Sequence, residues 1–276
     1  MKRIVASISL ILLILILSLV LPSRSQSYVL HGYHLIDLML KELGRVKALQ
    51  VVQKSTIEDT TTLEEPTSVN ETVSYLIPGS YRSEFTSAAG DHIHVLSGGR
   101  YLQILNQRIV SQAETNLDRY KDIFLYNSRE EFKNLLIRLG MAPDISSLGR
   151  YQGSLVYVLG AQYPDESVPQ LWLDKNTFRP VRWLLRPASN TNINTSDSLE
   201  VRYLGWRKSD SFWYPYHVEI YQGNRRVRKI QVAKLQVNPQ LSQQSFDITY
   251  LKSIYLMGDP LKPAQTDSSE KGEVQK

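Results

Sequence analysis

The stretch GSLVYVLGAQYPDESVPQLWLDKNTFRPVRWLLRP, residues 153–187, decides the fold class. Its first run, Ser154 to Leu159, is β-rich and stops at Gly160, and a polar loop follows. Gln170 to Asp174 and Thr177 to Leu185 then read as a hairpin around Lys175-Asn176. Asp, Asn and Thr suit such a turn because their short polar side chains bond the local backbone and tolerate left-handed conformations. With Asp174 paired to Thr177, Leu173 is expected opposite Phe178 and Leu171 opposite Pro180. Trp172, Arg179, Val181 and Trp183 then share the other face. Large apolar groups stand on both faces, so neither reads as simply solvated. The stretch is the middle of an antiparallel sheet, and either one face lines an apolar space or both belong to ordinary packed layers.

Composition narrows the function classes. The chain has 276 residues, enough for one large β-rich domain or two small ones with a real core. It has no Cys, which excludes disulfides, thiolate metal sites and acylation of an N-terminal Cys. The formal net charge is +5, but Lys2, Arg3 and Arg24 lie in a leading segment read as removable. Taking those three from the 32 basic residues leaves 29 against 27 acids, too small a surplus to point to nucleic acid.

That leading segment, 1–25, has the form of a secretory signal. Lys2-Arg3 precede the apolar run Ile4 to Leu21, Pro22 breaks it, and Ser23 and Ser25 place small residues before a cut after Ser25. An uncleaved inner-membrane anchor is the alternative, since the run nearly spans a bilayer. Tyr28 to Ala48 reads as a helix, with Leu35, Ile36, Met39, Leu43 and Val46 on one stripe. From Leu49 the period changes to two, and strands through Ser111 form a meander. Ser128 and Glu131 form a capping box before a helix carrying Phe132, Leu135, Leu136 and Leu139, and a short turn at Ile145 to Leu148 leads back to the sheet. Strands resume at Leu199, Phe212 and Arg226, with a slip in alternation that reads as a β-bulge at Ala233-Lys234. The polar stretch 188–197 reads as a loop and residues 260–276 as a disordered tail.

The order of these pieces resembles the LolA/LolB-type family of periplasmic lipoprotein-sorting and lipid-binding proteins. The resemblance covers about residues 30 to 250. It rests on an N-terminal amphipathic helix, PGSYRSEF (78–85), GGRYLQIL (98–105), a capped helix, LVYVLGAQ (155–162), the LWLDKNTFRPVRWLL hairpin (171–185) and VNPQLSQQSFDI (237–248). It implies an α+β fold: a curved, incomplete antiparallel β-barrel, or half-barrel, with helices covering the open side. It implies a LolA/LolB-like lipid-binding domain over 26–259, whose apolar cavity holds acyl chains. In the best-known carrier of the family an Arg on the early sheet helps hold the helical lid shut. Here Ile77 stands before Pro78 and Arg82 lies beyond the turn, so the sequence assigns that role to no residue.

The cavity candidates are Leu35, Met39, Tyr157, Leu171, Leu173, Phe178, Trp183, Tyr203 and Tyr216. The implied function is a periplasmic carrier or binding protein for the acyl chains of a lipid or lipoprotein, moving them towards the outer membrane. An inner-membrane donor complex and an outer-membrane acceptor are the implied partners. The alternative is a periplasmic sensor or regulatory interaction module of the same fold, binding lipoproteins or a protein partner. No cofactor, metal or enzymatic activity is expected: Gly-x-Ser-x-Gly, His-Glu-x-x-His and a Gly-rich phosphate loop are all missing, and the pairs His31/His34 and His92/His94 lack a third ligand. The signal reading predicts a mature chain that begins at Gln26. N-terminal sequencing of the exported protein checks it, and a retained Met1 would make this an anchored protein.

Overall fold

The computed structural model describes residues 29–58, 66–186, 198–223 and 225–257. The expected signal (1–25), polar loop (188–197) and tail (260–276) lie outside the described residues. Helix α1 (Gly32–Leu43) precedes β1 (Ala48–Ile57), β2 (Thr67–Leu76), β3 (Ser80–Ser87), β4 (Gly90–Ser97), β5 (Arg100–Leu105) and β6 (Arg108–Ser111). A 3-10 segment (Asn116–Phe124) and helix α2 (Arg129–Arg138) interrupt the meander. It resumes as β7 (Ser146–Tyr151), β8 (Ser154–Leu159), β9 (Gln170–Asp174), β10 (Pro180–Leu185), β11 (Leu199–Ser209), β12 (Phe212–Gln222) and β13 (Arg225–Val237). A second 3-10 turn (Gln243–Phe246), helix α3 (Ile248–Ile254) and the short β14 (Leu256–Met257) follow.

All fourteen strands form one sheet in the order β14-β6-β5-β4-β3-β2-β1-β13-β12-β11-β10-β9-β8-β7. Every pairing is antiparallel except β14 with β6, and among the described residues the sheet does not close into a barrel. It is nevertheless curled. β2 and β12 stand three places apart, which a flat sheet would separate by about 14 Å. Yet the hydroxyls of Tyr75 and Tyr214 meet across that gap at 3.0 Å. The concave side is covered by α1, the 3-10 segment and α2, which share the main apolar core with Tyr75, Leu171, Trp183 and Val218 of the sheet. The fold is the open, curved α+β half-barrel that the resemblance implies.

The convex side has two smaller clusters of its own. Helix α3 lays Ile248 and Leu251 on Val95, Leu102 and Ile104, and the loop after β8 folds back over Trp172, Val156 and Val158. Trp172 sits edge-on to Tyr151 and Tyr163, under the Arg182 guanidinium at 4.7 Å. Gly149 allows this approach, because a Cβ there would lie 2.5 Å from the Tyr163 ring. Both apolar faces of the hairpin stretch therefore end up as packed layers.

Local chemistry explains where the elements stop. His31 caps α1 by accepting from the Tyr33 amide at 3.3 Å. The helix ends at Leu43, short of the expected Ala48, because Gly44 has φ 96° and a Cβ there would lie 2.1 Å from the Ser211 carbonyl oxygen. Ser128 caps α2, accepting from the Glu131 amide and donating to the Glu131 carboxylate. Residues expected to form a turn at Ile145 to Leu148 instead enter β7 from Ser146. The bulge expected at Ala233-Lys234 is present: Val52 faces Lys234 and Gln53 faces Val232.

The hairpin register differs from the sequence reading. Leu173 faces Pro180, Trp172 faces Arg182 and Leu171 faces Trp183. The turn is longer than the expected two residues. The Phe178 amide donates to the Asp174 carbonyl, and Phe178 takes a left-handed φ of 55°. Asp174 fixes the turn by accepting from the Asn176 and Thr177 amides and the Thr177 hydroxyl. The longer turn moves the pairing by two residues, and a bulge at Val181, between Pro180 and Arg182, turns Trp183 to the concave face beside Leu171 and leaves Val181 and Trp172 on the convex one. An Asp on the buried stripe of α1 meets no partner, so Leu35→Asp or Met39→Asp is expected to cost roughly 2–5 kcal/mol. A urea titration checks it; an unchanged midpoint would mean that the stripe does not pack on the sheet.

Candidate functional site

The concave space has an apolar half and a polar half. Eight of the nine cavity candidates gather in the first. Leu35 and Met39 on α1 meet Tyr157 on β8, Leu171 and Leu173 on β9, Trp183 on β10 and Tyr203 on β11, and all seven are buried. Phe178 is half-buried at the edge and stacks on Tyr157 with ring centroids 5.9 Å apart. Tyr216 is not brought to this group: it is half-buried outside the core, with the Arg207 guanidinium 4.4 Å from its ring. The crevice where the end of α1 meets the end of the 3-10 segment, lined by Leu40, Leu43, Ile77, Phe124 and Phe212, has about 10 Å³ of free space, room for one water at most.

The polar half lies under the 3-10 segment and is organised by Arg228 of β13. Its Nη2 donates to Glu71 Oε2 of β2 at 2.6 Å and to Ser55 Oγ of β1 at 3.0 Å. Its Nη1 donates to the Leu117 carbonyl at 3.0 Å and Asp118 Oδ1 at 2.9 Å, both on the 3-10 segment. Asp118 Oδ2 also accepts from the Tyr101 hydroxyl at 2.7 Å and lies 2.9 Å from His94 Nδ1. Glu71 accepts further from Gln53 Nε2 and from the Ser55 and Ser83 hydroxyls. Gln53 Nε2 reaches the Tyr120 hydroxyl, and the Tyr203 hydroxyl donates to the Tyr120 carbonyl. Lys121, fully buried, closes on Asp122 and Glu114, with its ammonium 5.3 Å from the Tyr81 ring.

Burial alone would raise the Glu71 carboxyl, but the Arg228 guanidinium and the Ser83 and Gln53 hydrogen bonds outweigh it and hold the group below the usual carboxylate range. Asp118 is held lower still: burial again opposes, and His94 and Arg228 prevail. Burial penalises the Arg228 charge, yet Glu71, Tyr120 and Asp118 keep it firmly protonated. Arg228 is thus the cation that ties the 3-10 segment to the sheet. Arg82, near the early turn, is used elsewhere, bonding the Ser245 carbonyl and Glu84.

None of these polar residues stood among the cavity candidates, yet strand parity marks them. Glu71 alternates with Val73 and Tyr75, Gln53 and Ser55 with Leu49 and Val51, Ser83 with Tyr81, and Arg228 with Ile230. Polar residues at inward positions on four adjacent strands must satisfy one another or a covering segment. His94 joins Asp118, and His92 stacks on Phe85 with centroids 4.5 Å apart. Among the described residues no group of three His, Cys, Asp or Glu is arranged to hold a metal.

Solved structures share this fold. A LolA superfamily protein from Nitrosomonas europaea aligns with a TM-score of 0.56 at 13% identity, over 80% of this chain and 100% of its own. A domain from Vibrio parahaemolyticus described as an outer membrane lipoprotein-sorting protein aligns with a TM-score of 0.54 at 10% identity, over 80% of this chain and 97% of its own. The chain has a LolA-like fold. At such identities the likeness is one of fold. No protein-family model matches the sequence, and no curated protein does.

The polar half sets a pH dependence. In the unfolded chain Glu71 and Asp118 take up protons near pH 4, whereas in the folded chain they resist protonation to lower pH. Their contribution is therefore complete above about pH 4 and is lost as pH falls through the folded values. Arg228→Met leaves two buried carboxylates without their cation and is expected to cost about 3–5 kcal/mol at neutral pH. The gap between wild type and variant should narrow as pH falls below about 4, because the unfolded chain and the variant's uncompensated carboxylates take up protons there while the wild-type pair still resists. Urea midpoints across pH check this; a gap independent of pH would contradict the assignment.

Proposed function

We propose that this protein is a periplasmic carrier or binding protein that takes the acyl chains of a lipid or lipoprotein between the sheet and its cover, for transport towards the outer membrane. The observation that carries the reading is the division of the concave space. A continuous apolar floor of Leu171, Leu173, Trp183 and Tyr157 lies under α1, while the neighbouring cover is fixed by a few strong ionic contacts to Arg228. Apolar packing exchanges readily for an acyl chain of similar chemistry, and ionic contacts can be broken and remade as a unit. Exported neighbours of LolA type and the signal-like 1–25 support the compartment.

Magnitudes favour binding with opening. Fourteen methylenes at about 0.8 kcal/mol each supply roughly 11 kcal/mol. Displacing the cover from Arg228 costs about 3–5 kcal/mol of that. The remainder, roughly 6–8 kcal/mol before the cost of association, sets a ceiling of about micromolar on the affinity.

A fluorescent fatty-acid probe should therefore bind at roughly micromolar to millimolar concentration and alter tryptophan emission through Trp183. Trp183→Glu or Phe178→Glu should abolish binding while the far-ultraviolet spectrum stays native. If no lipid-like probe binds the wild type, and solvent extraction of the purified protein yields no lipid, the carrier reading fails. The fold would then serve as a protein-binding sensor module.

A further inference from the structure

One end of the half-barrel carries a rim of free cations around the crevice in the cover. The strand registers place the turns at 77–79, 97–100, 174–179 and 209–212 at the same end as the C-terminus of α1. Lys41, Arg45, Lys47, Arg100 and Lys208 all stand exposed at this end, and none is in an ion pair among the described residues. Backbone contacts and strand pairing tie them to the crevice walls. Gly44 abuts Ser211, the Ile77 amide donates to the Lys47 carbonyl, and Lys208 faces Trp213 across the hairpin. The Ser80 and Ser97 hydroxyls, 3.1 Å apart, join the Arg100 turn to the 77–79 turn. The nearby acids are largely committed: Glu42 faces Arg179 at 3.6 Å and Asp174 holds its own turn, which leaves Asp210 exposed.

The crevice itself is the joint between two covers. Leu40 and Leu43 of α1 form one wall, Ile123 and Phe124 of the 3-10 segment the other. Parting these walls breaks no strand pairing and leads directly onto the main apolar core, to which all four residues belong. An entry route for an acyl chain and a positive rim thus coincide.

We propose that this end is a docking surface for an anionic phospholipid bilayer, holding the crevice against the headgroups so that acyl chains pass between membrane and core. The inference rests on the acyl-chain reading above for what passes, but docking itself is separately measurable. The competing account is that these cations are an ordinary solvated face, with Lys41 complementing the negative end of α1. That account requires no affinity for a charged membrane. Docking through basic residues requires affinity that depends on lipid charge and falls with salt.

The test is co-sedimentation of the mature chain with vesicles of phosphatidylcholine containing about a third phosphatidylglycerol, alongside pure phosphatidylcholine vesicles. Wild type should sediment with the anionic vesicles at low salt and be released at high salt. Each basic residue near the surface is worth roughly fivefold, so Lys41→Glu/Arg45→Glu/Lys47→Glu should weaken binding at least about a hundredfold. Arg108→Glu, on the turn at the opposite end, should bind as wild type. The triple variant should keep the wild-type urea midpoint and bind the fatty-acid probe in solution, because its residues lie outside the core. Failure of wild type to sediment with anionic vesicles overturns the docking surface and leaves the acyl-chain reading standing. So does undiminished sedimentation of the triple variant. Salt-sensitive sedimentation in a chain that binds no probe upholds docking and counts against the acyl-chain reading alone.

Discussion

Arg228 stands on the concave face of β13 between Glu71 of β2 and Asp118 of the 3-10 segment, and the closed form of the molecule depends on that placement. A guanidinium this buried is costly to desolvate, and so are the two carboxylates. Together they are tolerable because both Arg228 Nη atoms are used, on Glu71, Ser55, Asp118 and the Leu117 carbonyl, although its Nε has no hydrogen-bond partner among the described residues, and Asp118 is held by Tyr101 and His94 as well. The contact draws the segment after β6 across the open side of the sheet, where the aromatic side chain of Phe124 can meet Tyr75, Tyr203 and Tyr214. Without the cation the same carboxylates would repel one another, against the remaining polar ties of the cover through Tyr101, His94, Gln53 and Tyr203.

The division of labour in the concave space follows from this. Dispersion and burial hold α1 and α2 over the apolar half, and these forces are non-directional. An apolar guest can replace them with modest loss. Directional, charge-assisted contacts hold the 3-10 segment, and they are either made or broken. A sheet whose convex face is separately sealed by α3 and the 161–168 loop can keep its shape while its cover changes position.

Much of this was legible in the sequence. Period-two runs located twelve of the fourteen strands, the Ser128–Glu131 box located α2, and the slipped alternation in β13 located its bulge. The half-barrel itself came from resemblance, since no local pattern encodes curvature. The hairpin register was misread for two reasons: Asp174 spends its carboxylate on three donors within a longer turn, which moves the pairing by two residues, and a bulge at Val181, between Pro180 and Arg182, sends Trp183 to the other face. The two 3-10 turns and α3 went unseen because they are short and lack a full amphipathic period. The polar half was missed for a different reason. Its residues are dispersed over 53–228, and only strand pairing brings Gln53, Glu71, Asp118 and Arg228 together.

Hydrogen exchange with and without a saturating long-chain fatty acid addresses the central claim, that an acyl chain enters between the sheet and a cover pinned by Arg228. The account predicts that amides of residues 32–43 and 116–124 change their exchange rates on ligand binding while those of β1, β2 and β13 keep their protection. Fatty acid that binds without altering exchange in either cover segment, or that alters only the convex strands and α3, would contradict it.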